Sequence, residues 1–500
     1  MNAYVFAIGG TGARVLRSLT MLLASGVELP GINKLIPVII DLDTKNEDTL
    51  RTIRALQNYK AVRDQFYSDT QKFFKTEIST LKNMEAETTQ SGTLNEDFQI
   101  EFANIDATFW DYMEFEKLPT NADKDFLKLL YDNSSTNEPN TELNLNLKVG
   151  FKGNPNVGSI IFNELKETPE YKYFLTAIQP GDKIFIISSI FGGTGSSGFP
   201  QLIKIFKSAN QQNNNIGKAK IGALTVLPYF NVSPNSKSAI NSKRFASKAK
   251  AALSYYSQDA EFKKVNAMYY IADGSETVYN NNEGGELQKN EAHRVELMGA
   301  SSLIHFFSLT DSDLGNKTKH FEYAIKPIGE DKKTAPPLIF SNFFDKGTGV
   351  DFNTKDIVFA NLTKFKYFSK IYREFIPKNL DKDFSKNLEL DKDSKTNEYK
   401  HIKAFVDEHF YKWLEELHTN QGMFTPFNLN GHFDDMVKGK NITQKGKLYD
   451  THKIDDSFLK NVIGKAIPRY NSEILDKKKR FLQVMSDASN ECFNKLEKLP

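Results

Sequence analysis

Glycine and hydroxyl residues cluster between a strand-like run and a helix-like run near the middle of the chain. The stretch reads Ile-Phe-Gly-Gly-Thr-Gly-Ser-Ser-Gly-Phe over residues 190–199. Glycine allows backbone N–H groups to approach a ligand closely, and a helix start attracts negative charge. Threonine and serine hydroxyls add further donors. This combination predicts a phosphate-binding loop, and the alternative is a tight connection without a ligand.

Two further glycine segments and an acidic turn follow the same pattern. Gly9–Gly12 and Gly150–Gly158 each come after a strand-like run, and Asp41-Leu-Asp43 follows another. In an open parallel sheet, the carboxyl ends of the strands share one edge, where ligands bind. We therefore expect all three loops to meet there. The carboxylates of Asp41 and Asp43 suit a ribose or a magnesium ion.

Other nucleotide motifs fit less well. No Gly-Lys-Ser/Thr follows a glycine run, which excludes a Walker-type P-loop. Gly10-Thr-Gly12 begins the Rossmann pattern Gly-x-Gly-x-x-Gly, but Val15 stands at the third glycine position. A Rossmann-type NAD(P) protein stays open as an alternative, although it leaves the two later loops unexplained.

Short apolar runs alternate with amphipathic stretches, which predicts an α/β fold. Strands are predicted at 4–8, 35–40, 183–189, 221–227 and 267–272, and helices at 13–24, from 46, 61–76, 124–131, 159–165, 200–209, 242–256 and 290–307. We predict a nucleotide-binding domain over 1–289 with a polar insertion at about 60–146, a central helix over 290–310 and a C-terminal domain over 311–500. The last is predicted to hold strands 321–326 and 338–344 and helices 355–375, 401–418 and 471–496.

Composition indicates a globular protein of more than one domain. The 500 residues are 39% hydrophobic and 26% charged, and 65 basic residues nearly balance 63 acidic ones. This balance does not indicate nucleic-acid binding by the whole protein. The single cysteine, Cys492, excludes an internal disulfide and fits a reducing compartment. No run approaches the roughly 20 apolar residues of a membrane span. With no leader-like start, these features predict a cytoplasmic location.

Taken in order, the motifs resemble the tubulin/FtsZ superfamily. Its Gly-Gly-Gly-Thr-Gly-Ser/Thr-Gly loop is matched by Phe191-Gly-Gly-Thr-Gly-Ser-Ser197, and its Asn-Pro-x-Val-Gly motif by Asn154-Pro-Asn-Val-Gly158. The segment Gly222–Phe230 resembles the family's fifth strand and the Pro-Phe after it. The resemblance implies a divergent bacterial tubulin-like fold, with a mainly parallel sheet, a long central helix and an α+β or helical C-terminal domain.

The resemblance also implies a set of site residues. Those expected to bind nucleotide are Gly9, Gly10, Thr11, Gly12, Asp41, Asp43, Gly153, Asn154, Gly192, Gly193, Thr194, Gly195, Ser196 and Asn290. Thr194 and Ser196 would donate to phosphate or else cap a helix. Asn290 would contact the base or else act as the N-cap of the central helix. Asp311 and Asp313 stand where the family carries the acids that activate water. No histidine spacing predicts a metal site formed by the protein alone.

The implied function is that of a GTPase. The chain would bind GTP (or GDP), less readily ATP, with Mg²⁺, and would self-associate head to tail into filaments or oligomers. The Asp311/Asp313 loop of one subunit would then face the glycine loop of the next. The sequence departs from FtsZ at Phe191 and Ser197 and lacks a Glu-Gly-x-x-Arg after Phe230. A nucleotide-binding scaffold without hydrolysis is therefore the second reading. The resemblance also suggests a role in a bacterial conflict or defence system.

Overall fold

The computed structural model describes residues 1–88, 94, 97–103, 105–131, 142–209, 214–234, 242–262, 265–274, 278–281, 284–325, 355–379, 388, 399–420, 424–438, 453–471 and 476–497. The strands in these ranges are β1 (Asn2–Ile8), β2 (Lys34–Ile40), β3 (Glu77–Ile78), β4 (Gln99–Ile100), β5 (Lys183–Ser189), β6 (Lys220–Val226), β7 (Asn231–Val232), β8 (Ala267–Asp273), β9 (Val278–Tyr279) and β10 (Lys319–Ile325).

The helices surround the sheet and fill the C-terminal part of the described chain. They are α1 (Gly9–Ala24), α2 (Glu47–Phe66), α3 (Leu81–Thr88), α4 (Phe109–Tyr112), α5 (Asn121–Leu130), α6 (Pro155–Ile161), α7 (Pro169–Ala177), α8 (Gly193–Ala209), α9 (Asn214–Lys218), α10 (Phe245–Gln258), α11 (Arg294–Ser308), α12 (Asp311–Leu314), α13 (Ala360–Lys370), α14 (Ile376–Lys378), α15 (Lys400–Ala404), α16 (Lys412–Thr419), α17 (Asp456–Asn471) and α18 (Lys477–Glu497). Segments of π-helix flank α13 and join α15 to α16.

Eight strands form one parallel sheet in the order β10-β8-β6-β5-β1-β2-β3, and β4 also pairs with β2. In β1, Tyr4 lies between Ile36 of β2 and Ile184 of β5. These central strands are buried along almost their whole length, because helices cover both faces of the sheet. The predicted α/β class with a mainly parallel sheet is confirmed.

The order of the strands reverses direction between β1 and β5. The chain passes from β1 to β2 and β3 on one side, and from β5 through β6 and β8 to β10 on the other. A crevice forms at the carboxyl ends of the strands where such a sheet reverses. Helix α1 follows β1 directly, and α8 follows β5 after three residues.

The segment predicted as a surface insertion contributes to the sheet instead. Strands β3 and β4 pair with β2, and the side chains of Phe74 and Phe98 are buried in the core. The separate helix predicted over 61–76 is wrong, because α2 continues through residue 60 and ends at Phe66. The apolar positions Leu56, Tyr59 and Val62 keep helical spacing across that point.

The C-terminal part differs from expectation in three places. Strand β10 pairs with β8 and so extends the main sheet, whereas the strand predicted at 338–344 lies outside the described residues. Helix α11 begins only at Arg294, four residues after the predicted start. Helix α17, which contains Pro468, was not predicted, and α18 accounts for most of the helix expected over 471–496.

Helices of the C-terminal part pack against α1 and α2. The Trp413 indole donates a hydrogen bond of 3.1 Å to the Ser18 hydroxyl of α1. Phe365 and Phe405 make edge-on ring contacts with Phe73 and Phe74, with centroids 5.1 Å apart in each case. No helix in the described part of the chain is long and apolar enough to cross a membrane.

Candidate functional site

A cleft opens at the carboxyl ends of β1, β2 and β5, where the strand order reverses. It encloses about 1120 Å³, part of it open to solvent. The lining residues are Gly9, Gly10, Thr11, Arg14, Asp41, Asp43, Asn46, Val149, Gly150, Phe151, Lys152, Gly153, Ser189, Phe191, Gly192, Gly193, Thr194, Gly195, Phe230, Val232, Arg244, Phe245, Lys248, Asn280, Gln288 and Asn290.

Two helices point their N-termini into this cleft, and a third begins beside it. Helix α1 starts at Gly9, and its N-cap Ile8 offers no side-chain hydrogen bond. Helix α8 starts at Gly193, and α6 starts just after Asn154, whose side chain does not cap it. The first N–H groups of a helix lack partners in their own helix, and they carry the positive end of its dipole. The cleft therefore favours an anionic ligand.

The glycine loops contact one another through their backbones. A Cβ on Gly193 would lie 2.7 Å from the backbone nitrogen of Gly153, closer than side-chain carbons approach. Gly9 has a φ of +69°, and a Cβ there would lie 3.3 Å from the Cβ of Thr194. Any side chain would thus push the loops apart, because the space between them is already filled.

Eleven of the predicted binding residues line the cleft together. They are Gly9, Gly10, Thr11, Asp41, Asp43, Gly153, Gly192, Gly193, Thr194, Gly195 and Asn290. Three others do not line it. Gly12 lies beneath, where a Cβ would meet the carbonyl carbon of Ala7 at 2.9 Å, so its role is close packing of helix on strand. The Ser196 hydroxyl donates to the carbonyl of Gly192, the residue before α8. Asn154 follows the cleft-lining Gly153.

The loop around Gly150 does not follow a strand, contrary to expectation. A short 3-10 turn, Leu147–Val149, precedes it instead. Gly150 and Gly153 both have positive φ angles, +75° and +82°, a backbone conformation that glycine adopts without strain. This loop reaches the cleft from the side, whereas the loops after β1 and β5 come directly from the sheet edge.

The carboxylates of Asp41 and Asp43 lie at the end of β2 and line the cleft. Burial, and then the charge of Asp43, raise the pKa of Asp41 to about 7. Thr49 and Asn46 each donate to Asp41 at 3.0 Å, and the Gly285 N–H donates to Asp43 at 2.6 Å.

Within the described ranges, no group of three or more His, Cys, Asp or Glu side chains could hold a metal ion alone. Mg²⁺ commonly takes only one or two carboxylates and completes its shell with waters and substrate phosphates. The Asp41/Asp43 pair on the cleft wall supplies two carboxylates of the number that Mg²⁺ takes in such sites.

A buried ionic network forms the floor beside the first loop. The Arg14 guanidinium lies 2.6 Å from both Asp48 and Glu296, and it also donates to the Tyr229 hydroxyl. Asp48 in turn accepts from the backbone and the side-chain amide of Asn290, at 2.9 and 2.7 Å. The sequence offered no sign of this network, because it joins residues far apart in the chain.

Basic side chains on the cleft wall were also missed. Arg244 and Lys248 stand one helical turn apart at the start of α10, and Lys152 lies in the second loop. Lys248 donates to the Gly153 carbonyl. Burial, followed by repulsion from Arg244, lowers the pKa of Lys248. The i, i+4 spacing of Arg244 and Lys248 was the available signal, but it is common on solvated helices.

Phe191, which replaces a glycine of the family motif, packs in an aromatic cluster on the cleft wall. Its ring lies 5.0 Å from that of Phe245 and 5.4 Å from that of Phe230. Phe230 also contacts the ring of Tyr279 at 5.2 Å. The side chain thus fastens the segment after β6 and the start of α10 to the glycine loop.

Asn290 is not the N-cap of the central helix, so that alternative is wrong. His293 caps α11 by accepting the Val295 N–H at 3.1 Å, and Glu296 accepts the His293 N–H at 3.1 Å. Burial lowers the pKa of His293 to about 3, which keeps the imidazole neutral as an acceptor requires. Asn290 lies in the preceding segment, where its amide is held by Asp48.

Asp311 and Asp313 lie at the amino ends of the strands, whereas the cleft lies at their carboxyl ends. They follow α11, and the ammonium group of Lys183, the first residue of β5, donates to the Leu309 carbonyl at 2.8 Å. The length of β5, roughly 20 Å, separates that end from the loop after Ser189. Both are exposed, and Asp313 accepts from the backbone and hydroxyl of Thr310 at 2.8 and 2.6 Å.

No protein-family model matches the chain, and no curated protein matches it. Among solved structures, the chain is similar to CetZ from Methanosaeta thermophila strain DSM 6194, with 15% sequence identity and a TM-score of 0.29. The match covers 63% of this chain, which spans 56% of that protein. The likeness is distant and gives no residue-by-residue correspondence.

The contact between the glycine loops predicts the effect of Gly193→Ala. Overpacking against the Gly153 backbone should lower the free energy of unfolding by about 1–3 kcal/mol. Gly464→Ala is the control, because Gly464 lies in α17 with no atom within 4 Å of its added Cβ. That variant should be unchanged or up to about 1 kcal/mol more stable. Urea unfolding measures both, and equal stability of the two variants would contradict the close packing of the loops.

The raised pKa of Asp41 predicts a specific pH dependence of stability. Between its ordinary pKa near 3.8 and about 7, the folded protein holds a proton that the unfolded chain releases. Stability from this group therefore falls as pH rises through that window, by at most about 1.4 kcal/mol per unit. Asp41→Asn removes this titrating group. The free energy of unfolding of the variant, relative to that of the unmodified protein, should therefore rise from pH 5 to pH 8. Urea midpoints in EDTA test this, and parallel pH curves would refute it.

Proposed function

We propose that this chain is a tubulin-like nucleotide-binding protein that binds GTP with Mg²⁺. The observation that carries the proposal is the meeting of three glycine loops in one cleft, at the point where a parallel sheet reverses its strand order. Phosphates are the common ligand of such helix N-termini. Carboxylates and basic side chains line the same cleft.

The cleft offers distinct groups to the two ends of a nucleotide. Backbone N–H groups at the starts of α1 and α8 would hold phosphate oxygens, and Lys248 and Arg244 would offset their charge. Asp41 and Asp43 would hold Mg²⁺, which neutralises phosphate charge when bound. Phe230 would offer an aromatic face to a purine, and Gln288 and Asn290 would offer amide groups to its polar edge.

Hydrolysis, in this proposal, requires a second copy of the chain. Asp41 and Asp43 are the only acidic side chains among the described residues that line the cleft, and both are assigned to the metal. Asp311 and Asp313 lie at the amino ends of the strands, far from the cleft of their own copy. They would therefore reach only the cleft of a neighbouring copy, when copies stack end to end. Contacts of this head-to-tail kind generate open filaments or closed rings. Asp311, which is exposed, would activate the water.

A nucleotide-binding scaffold without hydrolysis is the second candidate. One observation favours it: Asp313 already accepts two hydrogen bonds from Thr310 in its own capping box. Only Asp311 then remains to act on a neighbouring cleft. A place in a bacterial conflict or defence system belongs to either candidate.

The first test identifies the ligand and the phosphate-binding lysine. Mass spectrometry of nucleotide released from the purified protein should find GTP or GDP, and calorimetry should show GTP binding. Lys248→Gln should weaken GTP binding at least tenfold, about 1.4 kcal/mol, through loss of a charged donor. Lys250→Gln is the matched control, since Lys250 is exposed on the same helix. Bound NAD(P) without GTP affinity would instead establish the dinucleotide alternative.

The second test asks whether the acids act on a neighbouring copy. Asp311→Asn should abolish GTP turnover while leaving GTP affinity unchanged. Asp123→Asn is the control, because Asp123 is an exposed acid in a comparable first turn, where it accepts from Thr120. Mixing Asp311→Asn protein with Gly193→Ala protein, whose cleft is impaired, should restore activity, because one supplies an intact cleft and the other the acid. Full turnover by Asp311→Asn alone would remove the catalytic assignment, and no turnover by the unmodified protein would favour the scaffold.

A further inference from the structure

A second cavity lies behind the nucleotide cleft, between α2 and the helical segment 400–419. It encloses about 1050 Å³, part of it open to solvent. Every residue lining it is polar or charged, unlike the cleft with its aromatic wall. The lining residues are Arg17, Glu47, Arg51, Arg54, Gln57, Asn58, Lys289, His401, Glu408, His409, Lys412 and Glu416.

The lining carries more positive than negative charge. Five Arg and Lys side chains face three Glu side chains, and two of those Glu are already engaged. Glu47 pairs with Arg54, and Glu416 pairs with Arg17 and Arg51 at 2.7 Å each. Within the described part of the chain, Lys289 and Lys412 form no ion pair, so their charge is available to a ligand.

Two buried side chains show that this positive potential is built into the cavity. The Arg17 side chain is only 3% exposed, and its Nε has no hydrogen-bond partner among the described residues. The His409 ring is buried beside it and bonds Asn58 at 2.8 Å. Burial, and then repulsion from Arg17, Arg54 and Lys412, lower the pKa of His409 to about 4. The basic side chains around His409 oppose a further positive charge and would attract an anion.

The wall between this cavity and the cleft is a single extended segment. Gln288 and Asn290 line the nucleotide cleft, whereas Lys289 between them lines the second cavity. Arg51 connects the two sides more directly. It binds Glu416 at 2.7 Å, Asp48 at 2.8 Å and the Asn290 carbonyl at 2.6 Å.

We propose that this second cavity binds a small oxyanion of the phosphate type, and that its occupancy is coupled to the nucleotide cleft. Arg54, Lys289 and Lys412 would contact the anion from the open side, above Arg17. An anion that draws the Arg51 guanidinium towards itself alters the hold of Asp48 on Asn290. Oxyanion binding stands independently, whereas the coupling rests on the proposed nucleotide function.

Histidine NMR tests the binding directly, with inorganic sulfate as the probe because its charge does not titrate. In the full-length protein, the His409 and His401 ring resonances should shift saturably with sulfate at constant ionic strength. His305 and His320, which contact Tyr269 and Tyr270 at the far side of the sheet, should not shift. An unresponsive His409, or an equal shift of all four rings, would overturn the proposal.

Two variants show whether the sulfate response of His409 comes from the second cavity. The double variant Arg54→Gln/Lys412→Gln should lose the sulfate response of His409, and both side chains are exposed, so folding should survive. Lys248→Gln, in the other cleft, should keep it. A response retained in the double variant would contradict the site.

The coupling has a separate readout. Saturating sulfate, against chloride at equal ionic strength, should change GTP affinity at least fivefold in the unmodified protein, the lower range for coupled sites. It should have no effect in Arg54→Gln/Lys412→Gln. Equal GTP affinity with and without sulfate would overturn the coupling alone. A protein that never binds GTP would refute the proposed function, while the His409 result would still decide the oxyanion site.

Discussion

The buried guanidinium of Arg14 is the interaction on which the arrangement of the cleft depends. It lies one turn into α1 and pairs with Asp48 of α2 and Glu296 of α11. Burial disfavours the charge, yet Tyr229, Glu296 and Asp48 hold the pKa of Arg14 well above its usual value. Breaking one side of such a pair leaves an uncompensated buried charge, which typically costs about 3–5 kcal/mol. The three helices are therefore fixed in relation to one another, and the first glycine loop is fixed with them.

The two acids of this network are not equivalent. Although burial raises it, the paired charges of Arg14 and Arg51 hold the pKa of Asp48 below its usual value. Burial raises the pKa of Glu296, and Arg14 alone does not offset it fully. Asp48 thus keeps its charge more firmly, and it is Asp48 that holds Asn290 at the cleft. The Asp48 carboxylate thus belongs both to the ion pairs of Arg14 and to the hydrogen bonds that position Asn290.

Sequence reasoning reached the glycine loops because their signal is local. Residue types, spacing and position after apolar strands lie within single short stretches, and a parallel sheet brings such stretches to one edge. It did not reach Arg14, because the partner Glu296 is 282 residues away. The prediction that Asn290 is an N-cap was wrong. The Asn290 amide donates to Asp48, and His293 caps the helix instead. Strands β3 and β4 have two residues each, too few to show any periodicity.

The backbone contact between Gly193 and Gly153 has a consequence for how this cleft can change. Where these loops meet, Gly193 cannot take a side chain without separating them. Other lining residues, such as Gln288 and Val232, contribute to the cleft through their side chains. The site is thus divided into a part that evolution must keep and a part that it is free to alter. A lineage of such proteins could change the chemistry that its cleft recognises while the backbone of the loops stayed the same.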